Sequence, residues 1–111
     1  MEKFSLVAIG RQQLDAARAA RSGRAAQTVY GGHEHVLRQT LVALRAGARL
    51  DEHDSPGEAT VQVLSGRVVL VAASASWEGA TGALLVVPPE RHSVEALEDS
   101  TFLLTVAKYP R

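Results

Sequence analysis

From Gly31-Gly32 onward the chain is a succession of short runs rich in Val, Leu and Thr, broken at intervals of about eight to twelve residues by Gly, Pro, Ser or Asp. Runs that brief are strand-sized, and their even punctuation predicts an all-β sandwich or barrel. Expected strands are 36–45, 59–64, 67–73, 83–87, 92–97 and 101–107, with shorter runs at 28–30 and 4–9. Turns are expected at 45–47, 55–57, 65–66, 78–79, 88–89 and 98–100, where Gly, Pro, Asp and Ser cluster.

One segment breaks this pattern. Residues 11–22 are strong helix formers that stop at Gly23, which predicts a short helix with Gly23 as its cap and an Arg11–Asp15 pair one turn apart. Leu14, Ala17 and Ala20 give it a thin apolar stripe, enough to lie on a sheet but not to stand alone.

A chain of 111 residues holds one core, so one domain is expected. Within it, a strand, helix and connection at 1–35 would pack on a barrel at 36–111. The core must be aliphatic, since Phe, Trp and Tyr together make only 5% of the residues, and any pocket would be aliphatic too. Runs 84–87 and 102–106 are apolar at successive positions, so both of their faces need cover from the interior and from a helix, a second sheet or a partner subunit. A homodimer is the expectation.

A formal net charge of zero argues against affinity for nucleic acid. The sign is nevertheless uneven. Residues 1–50 carry Lys3 and Arg11, Arg18, Arg21, Arg24, Arg38, Arg45 and Arg49 against Glu2, Asp15 and Glu34, while acids dominate 51–111; solvation of two faces is favoured over head-to-tail pairing of subunits. With no cysteine, disulfides and thiolate chemistry are excluded. The apolar run near the start is too short for a membrane span and lacks a cleavage pattern, so a soluble cytoplasmic protein without membrane contact is expected.

Two blocks pair a turn glycine with a histidine: Gly47-Ala-Arg-Leu-Asp-Glu-His53, continuing to Gly66, and Gly82-Ala-Leu-Leu-Val-Val-Pro88-Pro-Glu-Arg-His92. They could bring two distant histidines together in one small barrel. In register and order the blocks resemble the two motifs of the cupin superfamily, specifically its small single-domain conserved-barrel (type-2) members. The resemblance implies a double-stranded β-helix, or jelly-roll barrel, with the short helix outside. It also implies a divalent metal, iron, manganese, nickel or zinc, held by motif histidines and a glutamate. The chain departs from the motifs: Ser55 replaces the second histidine of the first motif, Ala59 its glutamate, and Glu90 and Ala96 the glycine and asparagine of the second. His92 also stands one residue nearer its proline. Only His53 and His92 carry over as metal ligands.

Two histidines fall short of the three protein ligands of a catalytic zinc site or the two histidines and one carboxylate of non-haem iron. Glu58, next to the lost glutamate, or His33 and His35, on one side if their stretch is extended, could complete the set. Alternatively, His53 and His92 are relics at a barrel mouth and the other two are surface residues. Asp51, Glu52, Asp54 and Glu58 would raise the pKa of His53 towards acid–base use, although a solvated acidic loop is the preferred reading. Arg91 could anchor an anionic substrate or simply face solvent. Of Arg38 and Gln39, one should face the barrel and one the outside, and an inward Gln39 would bond a ligand or hold His53. Trp77, in a polar connection at 74–80, reads as a lid or interface residue.

No Ser-His-Asp set, nucleophile elbow or phosphate-cradling loop is present, which disfavours hydrolase and nucleotide-binding functions. Two expectations remain. The first is a small-molecule binding module using His53, His92, Gln39 and Arg91; the second is a metal-dependent enzyme of dioxygenase or isomerase type, with catalytic residues beyond the ligands unassigned. A purely structural dimerisation domain would have no pocket.

Overall fold

A computed structural model describes residues 2–53 and 57–108, with the side chains of Glu52 and His53 outside that description. The chain begins with helix α1 (Leu6–Ala19) and continues through β1 (Arg24–Tyr30), β2 (Leu37–Leu44), β3 (Arg49–His53), β4 (Gly57–Ser65), β5 (Arg67–Ala72), β6 (Ser76–Ala80), β7 (Leu84–Val86), β8 (His92–Ala96) and β9 (Ser100–Lys108).

The helix starts earlier than its composition suggested, replacing the strand expected at 4–9. Ser5 is the reason: its Oγ accepts the Ala8 N–H at 3.2 Å and caps the first turn. Gly10 and Ala17 are the buried positions of α1. A Cβ at Gly10 would stand 3.7 Å from Thr101 Oγ1 and 3.8 Å from Leu41 Cδ1, so the missing side chain lets the helix lie close on the sheet. The helix closes at Ala20, not at Gly23, and Gly23 (φ 72°) instead turns the chain into β1. Asp15 pairs with Arg18 at 3.5 Å in place of Arg11.

The strands form two antiparallel sheets, ordered β1-β2-β9-β4-β7 and β3-β8-β5-β6. Alternation along each strand sorts the faces. Val42, Leu44, Phe102, Val106, Ala59, Val61 and Val63 of the five-stranded sheet meet Val68, Leu70, Val94 and Ala96 of the four-stranded one in a single core. The outer face of the larger sheet carries Leu41, Ala43 and Leu103, with α1 packed over β1 and β2.

Two strands escaped the sequence reading. β3 has one apolar residue, Leu50, among four charged or ionisable ones, and β6 reads Ser-Trp-Glu-Gly-Ala. Neither shows an apolar run, because both lie in a four-stranded sheet with half of their positions solvated. Gly79 is therefore a strand residue opposite Val68, not a turn; a Cβ there would press to 3.2 Å from Ala83 Cβ and 3.3 Å from Leu85 Cδ1. The turn falls at Thr81-Gly82 (φ 92°). Trp77 likewise sits on β6, opposite Leu70.

Charge asymmetry along the chain is used within the fold. Arg18 Nε meets Asp99 Oδ2 at 2.8 Å, and Arg24 Nη1 meets Asp51 Oδ2 at 3.4 Å, joining the basic half to the acidic half.

Candidate functional site at one end of the sandwich

Strand β3 ends at His53 and β4 begins at Gly57, so those termini mark the same end of the two-sheet sandwich. The β1–β2 connection, carrying His33 and His35, and the β7–β8 connection leading to His92 arrive at that end too, since Tyr30 pairs with Gln39 and Val87 N–H bonds the Ala59 carbonyl at 3.0 Å. All four histidines of the chain are thus carried by elements at one end.

His53 and His92 are direct register partners on β3 and β8, and His92 is paired on its other side with Ala72 of β5. Parity with Val94 and Ala96 places His92 on the inner face, 3% exposed. Its Nδ1 lies 2.9 Å from the Glu90 carbonyl. A carbonyl can only accept, so Nδ1 carries the proton. Glu90 is itself fixed, its Oε1 accepting both N–H (3.0 Å) and Oγ–H (2.9 Å) from Ser74 in the β5–β6 turn. Those bonds hold its carboxyl below the ordinary glutamate range.

The remaining sequence candidates disperse. His33 is exposed in a turn, so the condition that its stretch be extended is not met. His35 stacks on Tyr30, ring centroids 4.8 Å apart, with Nδ1 3.4 Å from the Tyr30 hydroxyl and Nε2 3.5 Å from Glu34. Glu58 is exposed on the outer face of β4, opposite in parity to the inward Ala59. Gln39 faces outward as well, donating from Nε2 to Thr105 Oγ1 at 3.3 Å across the β2–β9 ladder. Arg91 is exposed. Asp54 and Ser55 lie outside the described residues, as do the side chains of His53 and Glu52 and any effect of the acidic loop on them.

Among the described residues, no three histidine, aspartate or glutamate side chains converge as metal ligands. The donor chemistry agrees. Ala59 offers a methyl group where a carboxylate would be needed, and its row in the sheet continues through Val106 to Arg38, a cation. The described residues do not fit a divalent metal.

They do form an open groove, with Ala26 and Thr28 of its lining exposed. Between β1, β2 and β9 of one sheet and β3 of the other lies a space of about 360 Å³ lined by Ala26, Thr28, Arg38, Thr40, Val42, Leu50 and Leu104. Thr28 and Thr40 are direct cross-strand partners, so both side chains share the face that lines it, and Leu50 on β3 is followed along the same strand by His53. Arg38, not Gln39, is the inward polar residue of β2. Sequence could not choose between them, because α1 makes the outward Leu41 and Ala43 as apolar as the inward Val42 and Leu44.

No family model matches the sequence, and no curated protein matches it. Solved structures do. A conserved protein of unknown function from Streptococcus pyogenes aligns at 27% identity over 83% of this chain and 80% of its own, TM-score 0.73. An RmlC-like cupin protein from Desulfovibrio desulfuricans aligns at 24% identity over 96% of both chains, TM-score 0.73. A salicylate 1,2-dioxygenase from Pseudaminobacter salicylatoxidans aligns at 19% identity over 90% of this chain, TM-score 0.74; this chain spans 33% of that one.

Proposed function

Because this chain has the fold of the cupin superfamily, we propose that it is a small-molecule binding protein whose ligand enters the jelly-roll interior at the end bearing His53 and His92. One observation carries this reading: an open groove of about 360 Å³ at the edge of the space between the sheets, with aliphatic walls and a few polar groups, its described lining including neither His53 nor His92. A groove of that size is at the small end for ligand sites and suits a metabolite with few heavy atoms. A salicylate 1,2-dioxygenase of similar fold has been solved as an adduct with gentisate, a small organic molecule.

The competing reading is a metal-dependent enzyme of dioxygenase or isomerase type. It draws on the paired register of His53 and His92, but finds no third donor among the described residues, and Arg38 in the same end row opposes a bound cation by charge repulsion. The binding module is therefore preferred, with no catalytic residue assigned. A homodimer remains part of the proposal. Leu84 and Val86 leave the outer face of β7 61% and 73% exposed, which is the cover that the sequence demanded and one chain does not supply. Sedimentation of the wild type against Val86→Lys reads that state.

A fragment screen followed by backbone amide NMR tests the function. Hits should shift Thr28, Thr40, Leu50 and Leu104 together. Hits confined to the outer groove beside Glu58 and Val86, or no hits, would remove the reading.

A further inference from the structure

Most half-buried arginines of this fold have partners. Arg45 donates to the Arg18 and Ala20 carbonyls at 3.1 and 3.2 Å, and Arg67 meets Glu78 at 2.7 Å and Glu98 at 3.7 Å. Arg38 differs: it is half-buried on the inner face, and among the described residues its guanidinium has neither a hydrogen bond nor an ion pair. A guanidinium brings five donors and a permanent charge, and at an open groove these stand ready for a ligand. Nothing in the groove lining answers the charge, for the lining holds two threonines and four aliphatic residues but no acid.

The stem of Arg38 is packed. Gly31, after β1, has no side chain, and a Cβ there would lie 3.0 Å from Arg38 Cγ and 3.4 Å from Arg38 Cα, so the loop packs directly on the arginine stem. Lys108 Nζ holds the adjoining Gly32 carbonyl at 3.1 Å, and Lys108 N–H the Val36 carbonyl at 2.8 Å. The Arg38 stem is thereby packed against the loop, beside the groove.

We infer that the ligand is a small monocarboxylate: Arg38 takes the carboxylate in a paired, charge-assisted contact, the Thr28–Thr40 pair lies beside it, and Val42, Leu50 and Leu104 flank the aliphatic body along the open groove. The site would hold its anion without a metal, the guanidinium filling the role of counter-charge. This rests on the ligand-site reading above and specifies its ligand.

Hexanoate and its neutral isostere hexanamide are the probes, titrated at pH 7 into wild type, Arg38→Met and Arg38→Lys with binding followed by amide shifts of Thr40 and Leu50. Wild type should prefer hexanoate by about tenfold. Arg38→Met should lose that preference while keeping its affinity for hexanamide, and Arg38→Lys should retain part of it, as a point charge without the bidentate fork. Equal binding of the two probes by wild type, or a preference that persists in folded Arg38→Met, overturns the carboxylate inference and leaves the ligand site standing. Binding of neither probe at millimolar concentration also overturns it; the fragment screen then decides the ligand site separately.

Discussion

His53 and His92, remote in sequence, occupy directly opposed positions on neighbouring antiparallel strands. Opposed positions share one face of a sheet, and for His92 that face is the interior. The relationship is built by two short connections, from β3 to β4 and from β7 to β8, that return the chain to the same end of the sandwich. It would be lost by a one-residue slip of β8, which would turn His92 outward.

The bond from His92 to the Glu90 carbonyl fixes a tautomer. Long-range proton–nitrogen correlation spectra at neutral pH should show the His92 ring protonated on Nδ1. A ring protonated on Nε2 alone would contradict the 2.9 Å contact. His92→Ala should lower stability by about 2 kcal/mol, through lost packing and an unanswered carbonyl.

Glu90 should titrate below the usual glutamate range, because both donors of Ser74 favour its charged form. Ser74→Ala removes the hydroxyl and leaves the backbone N–H, so the Glu90 pKa should rise only part of the way back. Carbon-detected NMR titration of the carboxyl reads both values, and identical titration in the two proteins would remove the hydroxyl from the account.

Asp99 accepts the Ala46 N–H at 2.8 Å and the Arg18 Nε–H at 2.8 Å, and these contacts lower its pKa in the folded chain. A lowered folded value means stability that is present above the ordinary aspartate pKa and lost as pH falls through the folded one. Asp99→Asn should therefore cost about 1 kcal/mol at neutral pH, discounted for a partly exposed pair, and nothing at strongly acid pH. Urea melts at the two pH values check it; an equal loss at both would contradict the charge-based cause.

Two glycines with similar backbone angles should respond differently to alanine. Gly66 (φ 83°) and Gly82 (φ 92°) both lie in the left-handed region, but a Cβ on Gly66 overlaps the Asp99 carbonyl and Ser100 Oγ, whereas one on Gly82 meets nothing within 4 Å. Gly82→Ala should cost about 1–2 kcal/mol of backbone strain, and Gly66→Ala about 3 kcal/mol or an unfolded product. Equal melting temperatures for the two variants would contradict this.

The strands legible in the sequence were those set off by clear turn residues, most of them with apolar runs: β2, β4, β5, β7, β8 and β9 all fall within a few residues of the expected spans. Illegible strands were those whose neighbours leave half their positions wet, as Arg49 to His53 shows. The start of α1 was missed because Leu6, Val7 and Ile9 look strand-like until Ser5 is recognised as a cap. The glycine–histidine blocks anticipated that His53 and His92 meet, as register partners on β3 and β8. Arg38 stayed hidden behind Gln39, since only register reveals which of two adjacent polar residues faces inward.

The most direct measurement is the metal content of protein purified without a histidine tag, followed by dialysis against iron, manganese, nickel or zinc with melting temperature recorded. The expected result is far less than one metal per chain and a melting temperature that added metal leaves unchanged, since a ligand of the native state would raise it by mass action. Near-stoichiometric metal that stabilises the wild type and disappears in His53→Ala or His92→Ala would contradict a metal-free ligand site.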